Sequence, residues 1–115
     1  MKKTELVDFK SDFFNREVMF LYDYYSLEIV DANENALTKY GYPKAELLGK
    51  KISALGEKFK TKDRLGKSDH HTGNIWKHYS KAGDVFFVQF TLQQLKYNGR
   101  IVQLAVAHDL SDKID

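Results

Sequence analysis

His108, Asp109 and Ser111 place the side-chain types of a hydrolytic triad almost side by side. A working triad brings its members together from separated segments around an oxyanion site, so this near-contiguous set reads as non-catalytic. Gly66-Lys67-Ser68 ends like a phosphate-binding loop, but the upstream glycine that the loop needs is Thr61. The run Ser68 to Thr72 holds adjacent His70 and His71. Neighbours in a strand point to opposite faces, so the pair does not converge on one ion, and the run reads as a solvated loop. Lys50 to Lys67 carries seven Lys or Arg against two acids, with Phe59 among them. That is the composition of an anion or single-stranded nucleic-acid surface. It is also that of a solvated face lying over Ile52, Leu55 and Phe59, which is the reading preferred here. The chain has no cysteine, which removes disulfides, thiolate nucleophiles, iron–sulfur clusters and cysteine-ligated zinc.

These residues must be positioned by a single domain, since 115 residues with 43% hydrophobic and 30% charged content close one core and not two. A net charge of +2 does not by itself call for nucleic acid. No run is long and apolar enough to cross a bilayer, and no apolar stretch follows the two N-terminal lysines, so a cytoplasmic placement is expected.

Leu6, Phe9 and Phe13 form a narrow stripe on an N-terminal helix within residues 1–17, which Thr4 caps. Val18 to Asp23 reads as a strand, with a hairpin partner over Leu27 to Val30. Asn33 stands where an N-cap belongs, Glu34 suits the helix dipole, and Ala36, Leu37 and Tyr40 share a face. Gly41 ends that helix in the left-handed conformation, and Pro43 opens a second short helix that Gly49 closes. Ile52, Leu55, Phe59 and Leu65 are spaced for further helical turns, although Gly56 and Gly66 interrupt them. From Gly73 the period falls to two. A strand containing Trp76 and His78 ends in the turn Lys81 to Asp84, which includes Gly83. Val85 to Tyr97 follows, then Asn98-Gly99 as a hairpin signal, then Arg100 to Asp109. The order is two strands, short helices, then a three-stranded meander: an α+β domain with helices on one sheet face.

Three stretches in this order resemble the PAS (Per-Arnt-Sim) sensory domain. They are IVDANENALTKYGYPKAELLGK, YSKAGDVFFV with its Lys-x-Gly turn, and VAHDLSDK at the close. The resemblance spans residues 18–113. It departs from the family at Pro43, where a capping Ser or Thr is usual, and between Leu55 and Gly73, where the family's longest internal helix is shortened or irregular. It implies a five-stranded antiparallel sheet of order 2-1-5-4-3 and a ligand cavity under the helices. In the family's register Phe86, Val88, Phe90, Leu92, Gln103 and Ala105 face that cavity. Trp76 and Tyr40 join them, and Gln103 orients a small organic ligand. Asn33, Gly41, Gly83 and Asp109 are the structural and signalling positions, Asp109 directing the exit towards a downstream output domain. Flavin-adduct and thioester-chromophore relatives need a cysteine and are excluded, and haem is not expected at His70 or His71. The cofactor is left unassigned.

The function implied is a non-catalytic regulatory sensor of a multidomain bacterial signalling protein, such as a histidine kinase of a two-component system or a diguanylate cyclase. A ligand-free dimerisation domain and an anion-binding domain using Lys50 to Lys67 are the alternatives. Val102, Leu104 and Val106 alternate with the inward residues of the last strand and would show water an apolar patch. With Leu6, Phe9 and Phe13 they suggest a homodimer, against the alternative that the N-terminal helix folds back on its own sheet.

Overall fold

Asn98 and Gly99 both take positive φ, 50° and 80°, the pairing that matches a two-residue turn to the right-handed twist of its strands. They join the two longest strands of a computed structural model that describes residues 17–58 and 75–110. The elements are β1 (Val18–Asp23), β2 (Ile29–Ala32), α1 (Glu34–Tyr40) and α2 (Lys44–Leu47). A 3₁₀ turn (Ile52–Leu55) follows, then β3 (Gly56–Lys58), β4 (Ile75–Tyr79), β5 (Val85–Tyr97) and β6 (Arg100–Asp109). All pairings are antiparallel, in the order β2-β1-β6-β5-β4-β3. This is the expected arrangement with one strand added at an edge. The N-terminal helix with Leu6, Phe9 and Phe13, and the histidines His70 and His71, lie outside the described residues.

The added strand corrects the expectation of continued helix after Leu55. The 3₁₀ turn stops at Gly56, which pairs with His78 of β4. A Cβ at Gly56 would overlap the Lys77 carbonyl oxygen and lie 2.8 Å from both Cα and Cδ2 of His78. Only glycine lets the backbone come this close. Phe59 and Leu65 lie outside the described residues.

The first hairpin starts two residues later than its apolar pattern implies. The Asp23 carboxylate accepts from the N–H groups of Tyr25 and Ser26 at 2.8 and 2.9 Å, closing an Asx turn. Leu27 completes the reversal at φ 69°, so pairing begins at Ile29. The Ser26 and Tyr25 N–H groups also hold the Asp23 carboxyl below the usual carboxylate range.

Alternation then sorts each strand onto two faces. Phe20, Tyr22, Val88, Ala105 and Ala107 pack beneath the helices with Ala36, Tyr40, Leu47, Ile52 and Leu55. Ala105 lies opposite Phe20, and Ala107 opposite Phe90, so a small side chain faces a ring in each pair. The other face gathers Met19, Leu21, Leu95, Val102 and Leu104, all strand residues and all buried. The expected exposed patch is therefore corrected: Val102 and Leu104 are buried in the single chain and Val106 is half-buried.

Candidate functional site

Asn33 starts α1 and fastens it to the sheet. Its Oδ1 accepts from the Ala36 N–H at 3.0 Å and from the Met19 N–H at 3.1 Å. Its Nδ2 donates to the Glu17 carbonyl at 2.6 Å. A short amide side chain does this well because it offers an acceptor and a donor at once. Eight residues on, Gly41 adopts φ 76° and its N–H returns to the Leu37 carbonyl at 2.8 Å, closing the helix as a left-handed C-terminal residue does. The Tyr40 carbonyl, freed there, accepts from Lys81 at 2.8 Å. That bond docks the turn before β5, in which Gly83 has φ 97°.

Between these anchors Tyr40 points into the sheet. Its ring meets Phe20 and Phe86 edge-on at 5.1 and 5.0 Å, and His78 at 5.5 Å, in the T-shaped geometry that aromatic quadrupoles favour. Its hydroxyl lies 2.6 Å from His78 Nδ1. Burial, with a smaller contribution from the Asp109 charge, pushes the Tyr40 phenol well above the usual tyrosine range, so it stays protonated and donates. Burial pushes His78 down to about 4, so the ring is neutral, with Nδ1 accepting and the proton on Nε2. Among the described residues Nε2 has no hydrogen-bond partner.

Beside this pair a partly enclosed cavity of about 120 Å³ is lined by Tyr22, Ile52, Trp76, Phe90 and Leu92. Of the residues expected to bind ligand, Trp76, Phe90 and Leu92 are walls. Tyr40, Val88 and Ala105 are fully buried in the core behind them. Gln103 is not a wall. It is half-buried in the row formed with Tyr22 and Gln94, and Tyr22, its partner on β1, supplies the wall there. Gln103, expected to orient a ligand, is thus not among the described residues that line this cavity. Tyr22 and Ile52 were not assigned to the site from the sequence, although Tyr22 shares the parity of Phe20 and Ile52 is the first apolar residue after Lys50 and Lys51. Nor was His78, an imidazole at an inward position two residues from Trp76.

Asp109 ends β6 on the helix face and forms an ion pair with Lys39 of α1. Lys39 Nζ also stands 4.4 Å from the Phe86 ring centroid, a cation–π contact. The helix that holds Tyr40 therefore also holds the point where the chain leaves the sheet. Among the described residues no three His, Asp or Glu side chains group as a metal site, and no helix is long and apolar enough to cross a membrane.

No curated protein matches the chain. Solved structures do match, and their likeness is one of fold. A PAS domain from a two-component sensor histidine kinase is 16% identical, with 81% of this chain and 84% of that one covered, at a TM-score of 0.62. A PAS domain of an HTR-like protein from Haloarcula marismortui is 17% identical, with 82% and 86% covered, at 0.63. A Light-Oxygen-Voltage domain studied with a flavin analogue is 20% identical, with 86% and 81% covered, at 0.60. The family model described as the PAS domain matches residues 16–112. With nearly the whole length matched by that model, and the strand order and helix placement expected from the sequence now seen, the chain belongs to the PAS domain family.

Proposed function

We propose that this chain is the sensory module of a signal-transduction protein, binding one small organic molecule in the cavity beside Trp76 and passing the change to an output domain beyond β6. The observation that carries this reading is the cavity itself. Among the described residues its walls are three aromatic and two aliphatic side chains, and at about 120 Å³ it approaches the roughly 150 Å³ of an engineered apolar cavity that binds benzene. A compact single-ring compound suits it. A three-ring flavin does not, and without cysteine the flavin–thiol adduct cannot form, so the fold shared with a Light-Oxygen-Voltage domain does not bring its chemistry here. The fold shared with the PAS domain of a two-component sensor kinase supports a kinase as the class of output domain. A homodimer, using Leu6, Phe9 and Phe13 together with Val106, would present two exits side by side to such an output.

Thermal unfolding against a panel of single-ring aromatic compounds tests the reading, because a ligand that prefers the folded chain raises its melting temperature with concentration. Narrowing the cavity with Leu92→Trp should abolish the rise. A rise that persists in that variant would place binding elsewhere and overturn the reading.

A further inference from the structure

Leu27 costs the fold twice. It is held at φ 69°, a left-handed conformation that glycine or asparagine adopts readily and a branched side chain resists, and its side chain is left 37% exposed. Stability asks for neither. The backbone is nonetheless fixed from both directions, since the Leu27 N–H donates to the Asp23 carbonyl at 2.9 Å and the Leu27 carbonyl accepts from Ile52 at 2.8 Å. The turn therefore presents its side chains in one arrangement. Tyr24 is 42% and Tyr25 75% exposed, their rings meeting edge-on at 5.0 Å, so large apolar side chains cluster in water at this tip. Cations stand around it. Antiparallel pairing sets Asp23 against Val102 and Lys96 against Ile101, which brings the end of β5 and the start of β6 to the same end of the sheet, where the Tyr24 N–H donates to the Ile101 carbonyl at 3.0 Å. Exposed Lys96 and Arg100 are thus neighbours of the tyrosines. Lys51 Nζ donates to the Ser26 carbonyl at 2.8 Å, within the turn itself. Of the carboxylates beside the turn, Asp23 is drawn inwards by the Tyr25 and Ser26 N–H groups and pairs with Arg100 at 3.4 Å, while Glu28 is exposed opposite Lys51.

We propose that this tip is a peripheral membrane contact, in which Tyr24, Tyr25 and Leu27 enter the interfacial zone of an anionic phospholipid surface and Lys51, Lys96 and Arg100 meet the lipid phosphates. Tyrosine suits that zone because its ring is apolar and its hydroxyl reaches water, and each cation close to the surface adds attraction. The leucine separates this occupant from a nucleic acid, whose bases stack on rings and gain little from an aliphatic side chain. A projecting tip also enters a fluid surface directly, whereas a protein partner must supply a pocket that matches it. The left-handed leucine then has a reason: strain is kept in the turn because it holds an apolar side chain outwards. Asp109, at the other end of β6, leaves the sheet on the side away from the lipid. The contact is independent of any ligand in the cavity.

Sedimentation of the intact chain with vesicles of phosphatidylcholine alone, and of equimolar phosphatidylcholine and phosphatidylserine, tests this. Binding to the anionic vesicles should be about tenfold tighter than to the neutral ones and should weaken with added salt. Leu27→Gly is the decisive variant, because glycine takes φ 69° without strain. It should keep or raise the melting temperature while weakening binding to the anionic vesicles about fivefold. Glu28→Lys should strengthen binding to the anionic vesicles and leave the neutral ones unaffected. No binding to the anionic vesicles, or equal binding to both kinds, would overturn the proposal, as would undiminished binding by Leu27→Gly. A marked fall in the melting temperature of Leu27→Gly would also overturn it, since the leucine would then serve the fold. None of these results bears on ligand binding in the cavity, so the sensory reading stands or falls separately.

Discussion

Phe20 and Leu21 are neighbours in β1, both without solvent exposure, and they stand on opposite faces of one sheet. Around Leu21 the buried partners are Met19, Leu95, Val102 and Leu104, flexible or branched side chains that fill space and carry no hydrogen-bonding N or O, with Val30, Val106 and the Tyr97 ring packed against them from the margin. Around Phe20 the partners are rings: Tyr40 meets it directly, and Phe86 and His78 meet Tyr40 in turn. Rings that meet edge to face hold one another at fixed angles and leave gaps that aliphatic chains would fill. The cavity and the buried imidazole both fall on the ring-built face, as does the ion pair at the end of β6. Stability can be assembled on either face, but a binding site needs the one that is rigid, incompletely filled and able to hold polar atoms.

That contrast is broken or sharpened first by truncating the two neighbours. Phe20→Ala should cost about 4 kcal/mol and Leu21→Ala about 3 kcal/mol in chemical denaturation, the range for deleting fully buried side chains. A loss below about 1 kcal/mol at Leu21 would mean that the aliphatic face is not a core.

The second test uses pH. His78 titrates at about 4 in the folded chain against an ordinary 6.5, so the unfolded chain takes up the proton first as pH falls. The stability carried by the neutral ring is complete above 6.5 and is lost as pH falls from there through 4, to a total of about 3 kcal/mol. The buried residues of the aliphatic face, Met19, Leu21, Leu95, Val102 and Leu104, include no titratable group. Subtracting the profile of His78→Phe from that of the native chain should therefore isolate this component, since the other titrating groups are common to both. An unchanged profile would show that His78 is not buried neutral.

Asn33→Ala comes next, at about 2 kcal/mol, because the side chain serves both as helix cap and as the bond from α1 to β1. Asn33→Asp should recover part of this, keeping the acceptor and losing the Nδ2 donor to Glu17. Equal losses in the two variants would mean that the donor dominates.

The smallest effect is expected at Lys39→Met. Its ion pair with Asp109 is partly exposed, and such pairs contribute less than about 1 kcal/mol. Amide exchange at the end of β6 should nonetheless quicken, since Lys39 ties that end to α1. Unchanged exchange would separate the ring-built face from the exit.

Much of this architecture is local and was legible in the residues themselves. β5 and β6 run over Val85–Tyr97 and Arg100–Asp109, the two segments marked by alternation on either side of Asn98-Gly99, because side-chain period and turn chemistry act between near neighbours. Asn33 and Gly41 bracket α1 for the same reason. The start of β2 was less legible, since its shift depends on Asp23 capturing two N–H groups, a competition that apolar pattern does not record.

The site belonged to the other category. The family's register placed Trp76, Phe90 and Leu92 on the helix face, and they are walls. The same register placed Gln103 there, but which inward residue reaches a cavity depends on its row along the strand and on what stands across from it, here Tyr22. β3 depends on Gly56 lying against His78, and the ring's orientation depends on Tyr40, 38 residues away. The sequence by itself therefore determined the strands, their turns and the sides their residues face, because backbone geometry repeats every two residues or every turn. Only the tertiary structure decided that an imidazole would be buried neutral with one nitrogen held and the other without a partner, because that outcome arises where three segments distant in the chain close on one another.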